Sequence, residues 1–195
     1  GGGPDGPVER IHVTDEFLMR PEHVIVGLAD PSADLMAQEI DMRIASLFRL
    51  VQDMKAEGDR VERIPSLWPS NQATRRLTDR FGRRRDPFTK RLKHHNGLDI
   101  AAERGTPILV TAKGVVSFSG RDGLYGNHVM VDHGNGLETL YAHMKERLAA
   151  EGDSVDKGEV IGTVGMTGRS TGHHIHYEVH WRGKAVDPRN YIGNY

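Results

Sequence analysis

The chain contains no cysteine among its 195 residues. Disulfide bonds, thiolate zinc sites and thiol nucleophiles are therefore excluded together, and histidine and carboxylate side chains remain as the strong metal ligands. Long apolar runs are also absent, because none approaches the roughly 18 residues that a transmembrane helix needs. Neither sign of charge is in excess, since 26 basic residues are matched by 27 acidic ones. We therefore expect no overall field that attracts nucleic acid or a membrane surface.

The length is sufficient for one hydrophobic core without disulfides, so we expect a single domain with an appendage. The chain begins at Gly1 with three glycines rather than with Met, which is typical of a linker. We expect any signal peptide or membrane anchor to belong to a longer native chain. Residues 1–31 match no periodic pattern, and we interpret them as a linker or N-terminal segment.

A heptad pattern of apolar residues predicts an amphipathic helix over residues 32–58. Ser32 is a suitable N-cap, and Gly58 is the predicted end. The apolar positions follow alternating steps of four and three: Ala33, Ala37, Ile40, Ile44, Leu47, Val51 and Met54. Such a seam has two interpretations, a helix that lies on the domain or half of a coiled coil formed with a second copy or another protein.

Residues 60–195 have a different pattern, which predicts a second, mainly β unit. Glycine becomes frequent, apolar runs are short and β-branched, and turn signals recur, as in residues 115–118, 129–131 and 132–136. This predicts antiparallel β-structure, with the domain boundary near residue 60.

Alternation along a strand predicts a polar face near the C-terminus. In an extended chain every second side chain shares a face. Over residues 173–181 this rule puts His174, His176, Glu178 and His180 on one face, and Ile175, Tyr177, Val179 and Trp181 on the other. Such a strand can carry a site on its polar face while its apolar face packs on a core.

Two further stretches supply histidine. His95 and Asp99 are an even step apart and converge if the segment is extended, whereas His94 faces away. A catalytic zinc takes three protein ligands and leaves one position open, and His95, Asp99 and His176 meet that number. Such spacings arise by chance in a chain with 11 histidines, so the surrounding sequence has to support them.

His143 is a third candidate for the same site. It follows Thr139 and Tyr141 at steps of two, so alternation predicts that the three share one face of a strand.

Around these residues the chain resembles the lysostaphin-type, or LytM-type, zinc endopeptidases, which hydrolyse cross-links in bacterial peptidoglycan. The resemblance covers about residues 64–192, and its motifs follow the order of the family. The matching stretches are FGRRRDPFT (81–89), HNGLDIA (95–101), GTP (105–107), GNHV (126–129), DHGNG (132–136), LYAH (140–143), VDKGEVIG (155–162), GRSTG (168–172) and HIHYE (174–178). The departures are Arg83, where the family usually has Tyr, and His173, where it often has Pro.

The resemblance implies that His95, Asp99 and His176 bind one zinc ion per chain. It implies that His143 and His174 are catalytic histidines that do not bind the metal. The alternative for these two is a hydrogen-bonded structural role.

The resemblance also implies a LytM-type peptidase domain that acts in the bacterial cell envelope, in the periplasm or outside the cell. Its partners would be the stem peptides and cross-links of peptidoglycan. Arg84 and Asn127 lie in the matching stretches and are expected to contact this substrate. Of the other histidines, His133 and His180 are interpreted as structural or solvated.

A local run of basic residues precedes the first predicted ligand. Its members are Arg75, Arg76, Arg80, Arg83, Arg84, Arg85, Lys90, Arg91 and Lys93. One interpretation is a solvated loop, and the other is attraction to the carboxylates of wall peptides or to anionic wall polymers. Nucleic-acid binding is disfavoured, because aromatic residues are scarce in this run.

The sequence thus predicts a zinc-dependent endopeptidase that hydrolyses peptide cross-links of peptidoglycan. The alternative is a non-catalytic or self-inhibited regulator of other cell-wall hydrolases, acting through the helix at residues 32–57. In the self-inhibited form, His12 or His23 would supply a fourth zinc ligand in place of water. The bond that is cut is not specified by the sequence, although analogy favours a cross-link that contains D-amino acids.

Overall fold

The computed structural model describes residues 31–71 and 76–192. The described chain contains one α-helix, α1 (Pro31–Glu62), twelve β-strands and a short 3-10 helix at Pro188–Asn190. The strands are β1 (Leu77–Asp79), β2 (Gly82–Arg85), β3 (Leu92–His95), β4 (Leu98–Ala101), β5 (Pro107–Leu109), β6 (Gly114–Asp122), β7 (Gly126–Gly134), β8 (Leu137–Arg147), β9 (Ser154–Val155), β10 (Val160–Val164), β11 (His174–Trp181) and β12 (Lys184–Val186). A mainly antiparallel β-fold with an N-terminal helix is the predicted fold class, which is confirmed.

Helix α1 continues past Gly58, where the sequence predicted its end, and stops at Glu62. A glycine inside a helix costs about 1 kcal/mol relative to alanine. Contacts at the C-terminal end oppose this cost. Asp59 accepts hydrogen bonds from Lys113 Nζ at 2.8 Å and from Arg63 Nε at 2.7 Å, and the Glu62 carbonyl accepts from the Lys113 amide at 2.9 Å.

The apolar seam of α1 is exposed in the single chain. Ile40, Ile44, Leu47 and Met54 each keep more than half of their surface accessible. The seam therefore has the apolar side chains that a coiled coil uses, and association through residues 32–57 stays a prediction.

By internal contacts the chain divides into two units, residues 1–50 and residues 51–195. In the first unit, the described part is the segment of α1 up to Leu50. The second unit contains the end of α1 and all the described strands. This division falls earlier in the chain than the boundary predicted near residue 60, and the assignment of residues 60–195 as a peptidase domain stays a prediction.

The strands pair in antiparallel fashion throughout the described chain. The main sheet has the order β1-β4-β11-β8-β7-β6-β9, with β10 pairing to β5 and β8, and β12 pairing to β11. Strands β2 and β3 form a separate two-stranded sheet. Strand β11 thus lies between β4 and β8, and His176 is directly opposite Asp99 of β4 and Ala142 of β8.

The core side of this sheet is held by two buried tyrosines. Tyr141 and Tyr177 are cross-strand partners, are fully buried and have ring centroids 5.4 Å apart. The Tyr141 hydroxyl accepts from the Thr111 amide at 2.9 Å, and Thr111 Oγ1 lies 3.0 Å from the Tyr177 hydroxyl. Both phenols are therefore satisfied within the core, which is the condition for burying them without a net cost.

Among residues 31–71 and 76–192, no helix combines the length and the hydropathy that crossing a bilayer requires.

Replacing Tyr141 with Phe should lower the free energy of unfolding by about 1–3 kcal/mol, because the buried Thr111 amide loses its acceptor. Tyr177→Phe is the matched control. It removes one hydroxyl contact to Thr111 Oγ1 and should cost about 1 kcal/mol. Urea denaturation measures both values, and equal losses would contradict the role given to the Thr111 amide.

Candidate metal centre and catalytic site

Three polar side chains from three strands meet at one end of the main sheet. His95 is the last residue of β3, Asp99 lies in β4, and His176 lies in β11. The even step between His95 and Asp99 predicted that they converge along one extended segment. The structure brings them together differently, because the turn at Asn96–Gly97 separates β3 from β4 and each strand belongs to its own sheet. All three side chains are buried.

The donor atoms of these residues have the separations that a small divalent cation needs. His95 Nε2 lies 3.2 Å from His176 Nδ1 and 3.2 Å from Asp99 Oδ1, and His176 Nδ1 lies 2.7 Å from Asp99 Oδ1. Ligands placed about 2.0 Å from a tetrahedral zinc are separated by roughly 3.3 Å. Two nitrogens and one carboxylate oxygen also form a donor set that zinc accepts. The residues present therefore fit the metal.

The outer nitrogen of each histidine in this cluster has its own partner. His95 Nδ1 lies 2.9 Å from the carbonyl oxygen of Arg80, and His176 Nε2 lies 2.8 Å from Glu178 Oε1. Both partners are acceptors, so these outer nitrogens carry the proton and donate it. The inner nitrogens, His95 Nε2 and His176 Nδ1, face Asp99 Oδ1, to which a protonated ring donates, and a bound cation would take the place of those protons.

Asp99 is the anionic member of the cluster. Burial opposes its ionisation, but hydrogen bonds from His176 and His95 outweigh burial and hold the pKa of Asp99 below its ordinary value. Its second oxygen, Oδ2, lies 3.6 Å from Arg84 Nη2. The carboxylate is therefore ionised and available as a ligand at neutral pH.

His143 reaches the site because β8 is irregular at this point. The register between β7 and β8 shifts there, so that β8 contributes an extra residue. His143 has a φ of 60°, which is uncommon outside glycine, and its amide donates to the Tyr125 carbonyl at 2.9 Å. The prediction that His143 shares a face with Thr139 and Tyr141 is wrong. Those two side chains are buried in the core, whereas the bulge turns His143 into the cavity.

His143 and His174 form a pair beside the metal cluster. Their ring centroids are 4.8 Å apart. His143 Nδ1 lies 2.8 Å from the Thr167 carbonyl, and His174 Nδ1 lies 2.9 Å from the Gly172 carbonyl. Each Nδ1 therefore carries a proton that it donates to the backbone, and each Nε2 is the nitrogen that can accept another.

The environment keeps both of these imidazoles neutral. Burial, followed by the neighbouring His174, lowers the pKa of His143 to about 4. Burial also lowers the pKa of His174, against the opposing effect of Asp99. At neutral pH both rings can therefore act as proton acceptors.

The loop that carries Thr167 is held in place by two glycines. Gly126 and Gly168 have φ values of 67° and 70°. A Cβ on Gly168 would lie 2.3 Å from the Gly126 nitrogen and 2.7 Å from the Leu124 carbonyl oxygen. The backbones can approach only because neither residue has a side chain. This contact fixes Thr167, and through its carbonyl it orients His143.

The site residues line a cavity of about 260 Å³. Arg84 is also part of the lining, and its guanidinium lies 2.6 Å from Asp79 Oδ2. Asn127 is not part of the lining, because its side-chain amide donates to the backbone carbonyls of Met144 and Lys145, each at 3.2 Å. Substrate contacts by Arg84 and Asn127 stay predictions, and Asn127 has no contact with the cavity to support its role.

The basic run lies largely on the hairpin of β2 and β3, which forms one wall of the cavity. Arg83, Arg85 and Lys93 are exposed there. Within the described parts of the chain, no carboxylate forms a salt bridge with any of these three cations. Arg75 lies outside the described residues.

The remaining predicted histidines have different settings. His133 is buried, with Nδ1 2.9 Å from the Lys113 carbonyl and Nε2 2.8 Å from Thr139 Oγ1, as a structural histidine would be. His180 is half-buried and contacts Glu178. His12 and His23, which were expected in a blocking segment, lie outside the described residues.

Sequence reasoning gave no role to three residues that shape this site. Glu178 was placed on the polar face of its strand without a function. Asp86 and Arg169 form an ion pair of 2.6 Å that joins the β2–β3 loop to the loop before β11, and the Arg169 guanidinium lies 4.5 Å from the centre of the Phe88 ring. The available signal was their position inside the stretches that resemble the LytM-type enzymes.

The antiparallel sheet thus carries a candidate metal site, the His–Asp–His cluster, with two further histidines beside it. The model of Peptidase family M23 matches residues 93–188. The chain is 32% identical to a mutant catalytic domain of the prophage-encoded M23 protein EnpA from Enterococcus faecalis, with a TM-score of 0.56 and coverage of 64% of this chain and 97% of that one. The chain belongs to peptidase family M23, as the resemblance to LytM-type enzymes predicted.

Two curated relatives extend this comparison. The chain is 51% identical over 113 residues to DD-carboxypeptidase/endopeptidase Mpg of Neisseria meningitidis serogroup B, covering 58% of this chain and 26% of that protein. It is 38% identical over 130 residues to peptidoglycan DD-endopeptidase ShyA of Vibrio cholerae, covering 67% of this chain and 30% of that protein. The chain thus spans between a quarter and a third of the length of these relatives.

Replacing Gly168 with Ala should disturb His143 without disturbing the metal cluster. The new Cβ would collide with the Gly126 backbone and displace Thr167, so we expect turnover to fall about a hundredfold. Zinc content should not change, because the three cluster residues lie on other elements. Gly172→Ala is the matched control, since a Cβ there meets no atom within 4 Å. Loss of zinc from Gly168→Ala, or equal activity in both variants, would contradict this account.

Proposed function

We propose that this chain is a zinc-dependent endopeptidase that hydrolyses peptide cross-links of bacterial peptidoglycan. The observation that carries the proposal is the joint placement of the His95–Asp99–His176 cluster and the His143–His174 pair in one cavity. Membership of family M23, whose peptidases are zinc-dependent, and a relative named as a peptidoglycan DD-endopeptidase support the same conclusion. Such a substrate places the enzyme in the cell envelope, in the periplasm or outside the cell.

His95, Asp99 and His176 would hold one zinc ion per chain. When bound, zinc supplies the Lewis acid that makes water a nucleophile near neutral pH and polarises the scissile carbonyl. The three protein donors leave one position of a tetrahedron open, which is typical of catalytic rather than structural zinc sites.

The two neighbouring histidines move the protons in this proposal. His174 Nε2 lies 3.6 Å from Asp99 Oδ1, so it is beside the cluster and can accept a proton from the attacking water. The same nitrogen can later deliver that proton to the leaving amine. His143 Nε2 faces the same space from β8, where it can share the proton transfer, and once it has accepted a proton it can donate a hydrogen bond to the developing oxyanion.

We further propose that the bond cut is one between D-amino acids, because one relative is named a peptidoglycan DD-endopeptidase and the other a DD-carboxypeptidase/endopeptidase. Stem peptides carry carboxylates, and Lys93, an exposed cation of the β2–β3 hairpin that lines the cavity, can attract them, with Arg85 exposed on the same hairpin. Arg84 and Arg169 are already paired with Asp79 and Asp86, so this role falls to the hairpin cations that form no salt bridge within the described residues.

Replacing single histidines should separate metal binding from catalysis. His176→Ala should lose both zinc and activity, because the cluster loses a ligand. His174→Ala and His143→Ala should keep one zinc per chain and lower the release of peptide fragments by about a hundredfold to ten-thousandfold, as expected for general acid–base groups.

The measurement is zinc content together with mass spectrometry of fragments released from purified peptidoglycan. New amine ends should appear with the wild-type chain and vanish with a chelator. His133→Asn is the control, because it changes a buried histidine outside the cavity. A zinc-loaded wild-type chain that releases no fragment would overturn the proposed function.

The substrate-binding role of the hairpin can be tested by removing its charge. The double variant Arg85→Gln with Lys93→Gln should raise KM for cross-linked peptide fragments with kcat retained, because it weakens attraction without touching the histidines. The wild-type KM should rise with salt, since exposed charges are screened beyond about 10 Å at 0.1 M. The control double variant, Arg104→Gln with Lys184→Gln, removes exposed cations elsewhere. An equal change in KM for both pairs would contradict a specific role of the hairpin.

A further inference from the structure

Glu178 is a buried carboxylate that the catalytic proposal does not use. Its side chain is 1% exposed. It accepts three hydrogen bonds, from His176 Nε2 at 2.8 Å, from the Tyr125 hydroxyl at 2.9 Å and from His180 Nε2 at 2.6 Å. A buried charge is tolerated only where donors of this kind satisfy it. Three side chains therefore hold this one carboxylate in place behind the metal cluster.

The two oxygens of Glu178 have separate partners. Oε1 accepts the hydrogen bonds from His176 and Tyr125, whereas Oε2 accepts the one from His180. The contact with His176 uses Nε2, which is the ring nitrogen on the far side from Asp99 and His95. A carboxylate is acceptor-only when ionised, so this contact requires the proton of His176 to reside on Nε2.

We propose that Glu178 is a positioning residue that fixes His176 in the Nε2–H tautomer, so that the Nδ1 lone pair faces the metal site. In the other tautomer the Nδ1–H would point at the position a cation takes, and two acceptors, Nε2 and Glu178 Oε1, would face each other. The inference rests on the proposed zinc site. It extends that proposal to a residue that is not one of the three cluster ligands.

The turn between β3 and β4 is built around this carboxylate. A Cβ on Gly97 would lie 2.9 Å from Glu178 Cγ and 2.3 Å from the Tyr177 carbonyl oxygen. Glycine at this position lets the turn that joins His95 to Asp99 close directly over Glu178. The segment that carries the other two donors of the cluster thus packs directly on the Glu178 side chain.

Charge balance supports the same role. Asp99 and Glu178 contact His176 from opposite sides of its ring, Asp99 Oδ1 at 2.7 Å from Nδ1 and Glu178 Oε1 at 2.8 Å from Nε2. Together they bring two negative charges to a site that would hold a divalent cation. Outer carboxylates of this kind orient metal-bound histidines and raise their basicity.

The direct test is the tautomer of His176, read from long-range ¹H–¹⁵N NMR spectra of the full chain without metal and with one equivalent of zinc. We expect a protonated Nε2 in both states, with Nδ1 also able to carry a proton before zinc is added because it faces Asp99. With zinc we expect the metal on Nδ1. An Nε2 without a proton in either state, or zinc on Nε2, would overturn the inference, and this result needs no variant.

Variants then measure how much the carboxylate contributes. Glu178→Ala should weaken zinc binding by about 10- to 100-fold and give a mixture of His176 tautomers. Glu178→Gln keeps an acceptor for His176 Nε2 and should restore most of the affinity, which a role in packing alone would not explain. His180→Asn is the control, because it changes the partner of the other oxygen, and it should leave zinc affinity unchanged. Zinc affinity is measured by competition with a chromophoric chelator.

The outcomes separate this inference from the proposed function. If Glu178→Ala loses zinc affinity and the wild-type chain still cleaves no peptidoglycan, the positioning role stands and the proposed function fails. If the wild-type chain cleaves peptidoglycan and Glu178→Ala binds zinc as tightly as the wild type with an unchanged tautomer, the positioning role fails and the proposed function stands.

Discussion

The hydrogen-bonded position of β11 between β4 and β8 is the constraint on which the site depends. It sets His176 opposite Asp99 on one side and opposite Ala142 on the other. A slip of one residue would turn His176 into the core and Tyr177 into the cavity, because the side-chain period of a strand is two. The buried contact between Tyr177 and Tyr141 opposes such a slip. The core face of the sheet thus fixes the geometry of its polar face.

The polar face gathers two imidazoles and two carboxylates around one point. Two imidazole nitrogens and a carboxylate oxygen point at one another within hydrogen-bond distance, and a second carboxylate, Glu178, lies directly behind. Outer partners decide which atoms face inward, namely the Arg80 carbonyl for His95 and Glu178 for His176. The neutral pair His143 and His174 adds proton acceptors without adding charge.

The class of fold, and the set of residues that the structure brings together, could be predicted from the sequence. Alternation along residues 174–181 is a local property of an extended chain, so the polar face of β11 could be predicted from spacing alone. Alternation failed at His143, because a bulge depends on the pairing of β8 with a neighbouring strand that spacing does not reveal. Alternation also predicted that His95 and Asp99 meet along one extended segment. In the structure the turn at Asn96–Gly97 brings them together instead.

Other features could not be predicted from the spacing of residues along the chain, because they depend on tertiary contacts. The end of α1 is set by contacts of Asp59 and Glu62 with Lys113, which is distant in sequence. The role of Glu178 depends on which ring nitrogen of His176 faces it, and the Asp86–Arg169 pair depends on two loops meeting across the cavity. Such contacts are tertiary, and the sequence marks them only as members of motifs.

The central claim is that His95, Asp99 and His176 hold a catalytic zinc, and diffraction at the zinc absorption edge tests it most directly. Crystals of the zinc-loaded chain should show a strong anomalous peak bonded to His95 Nε2, an Asp99 oxygen and His176 Nδ1, with a fourth position open to solvent. A peak ligated by other residues, or a fourth protein ligand that closes the site, would contradict the account.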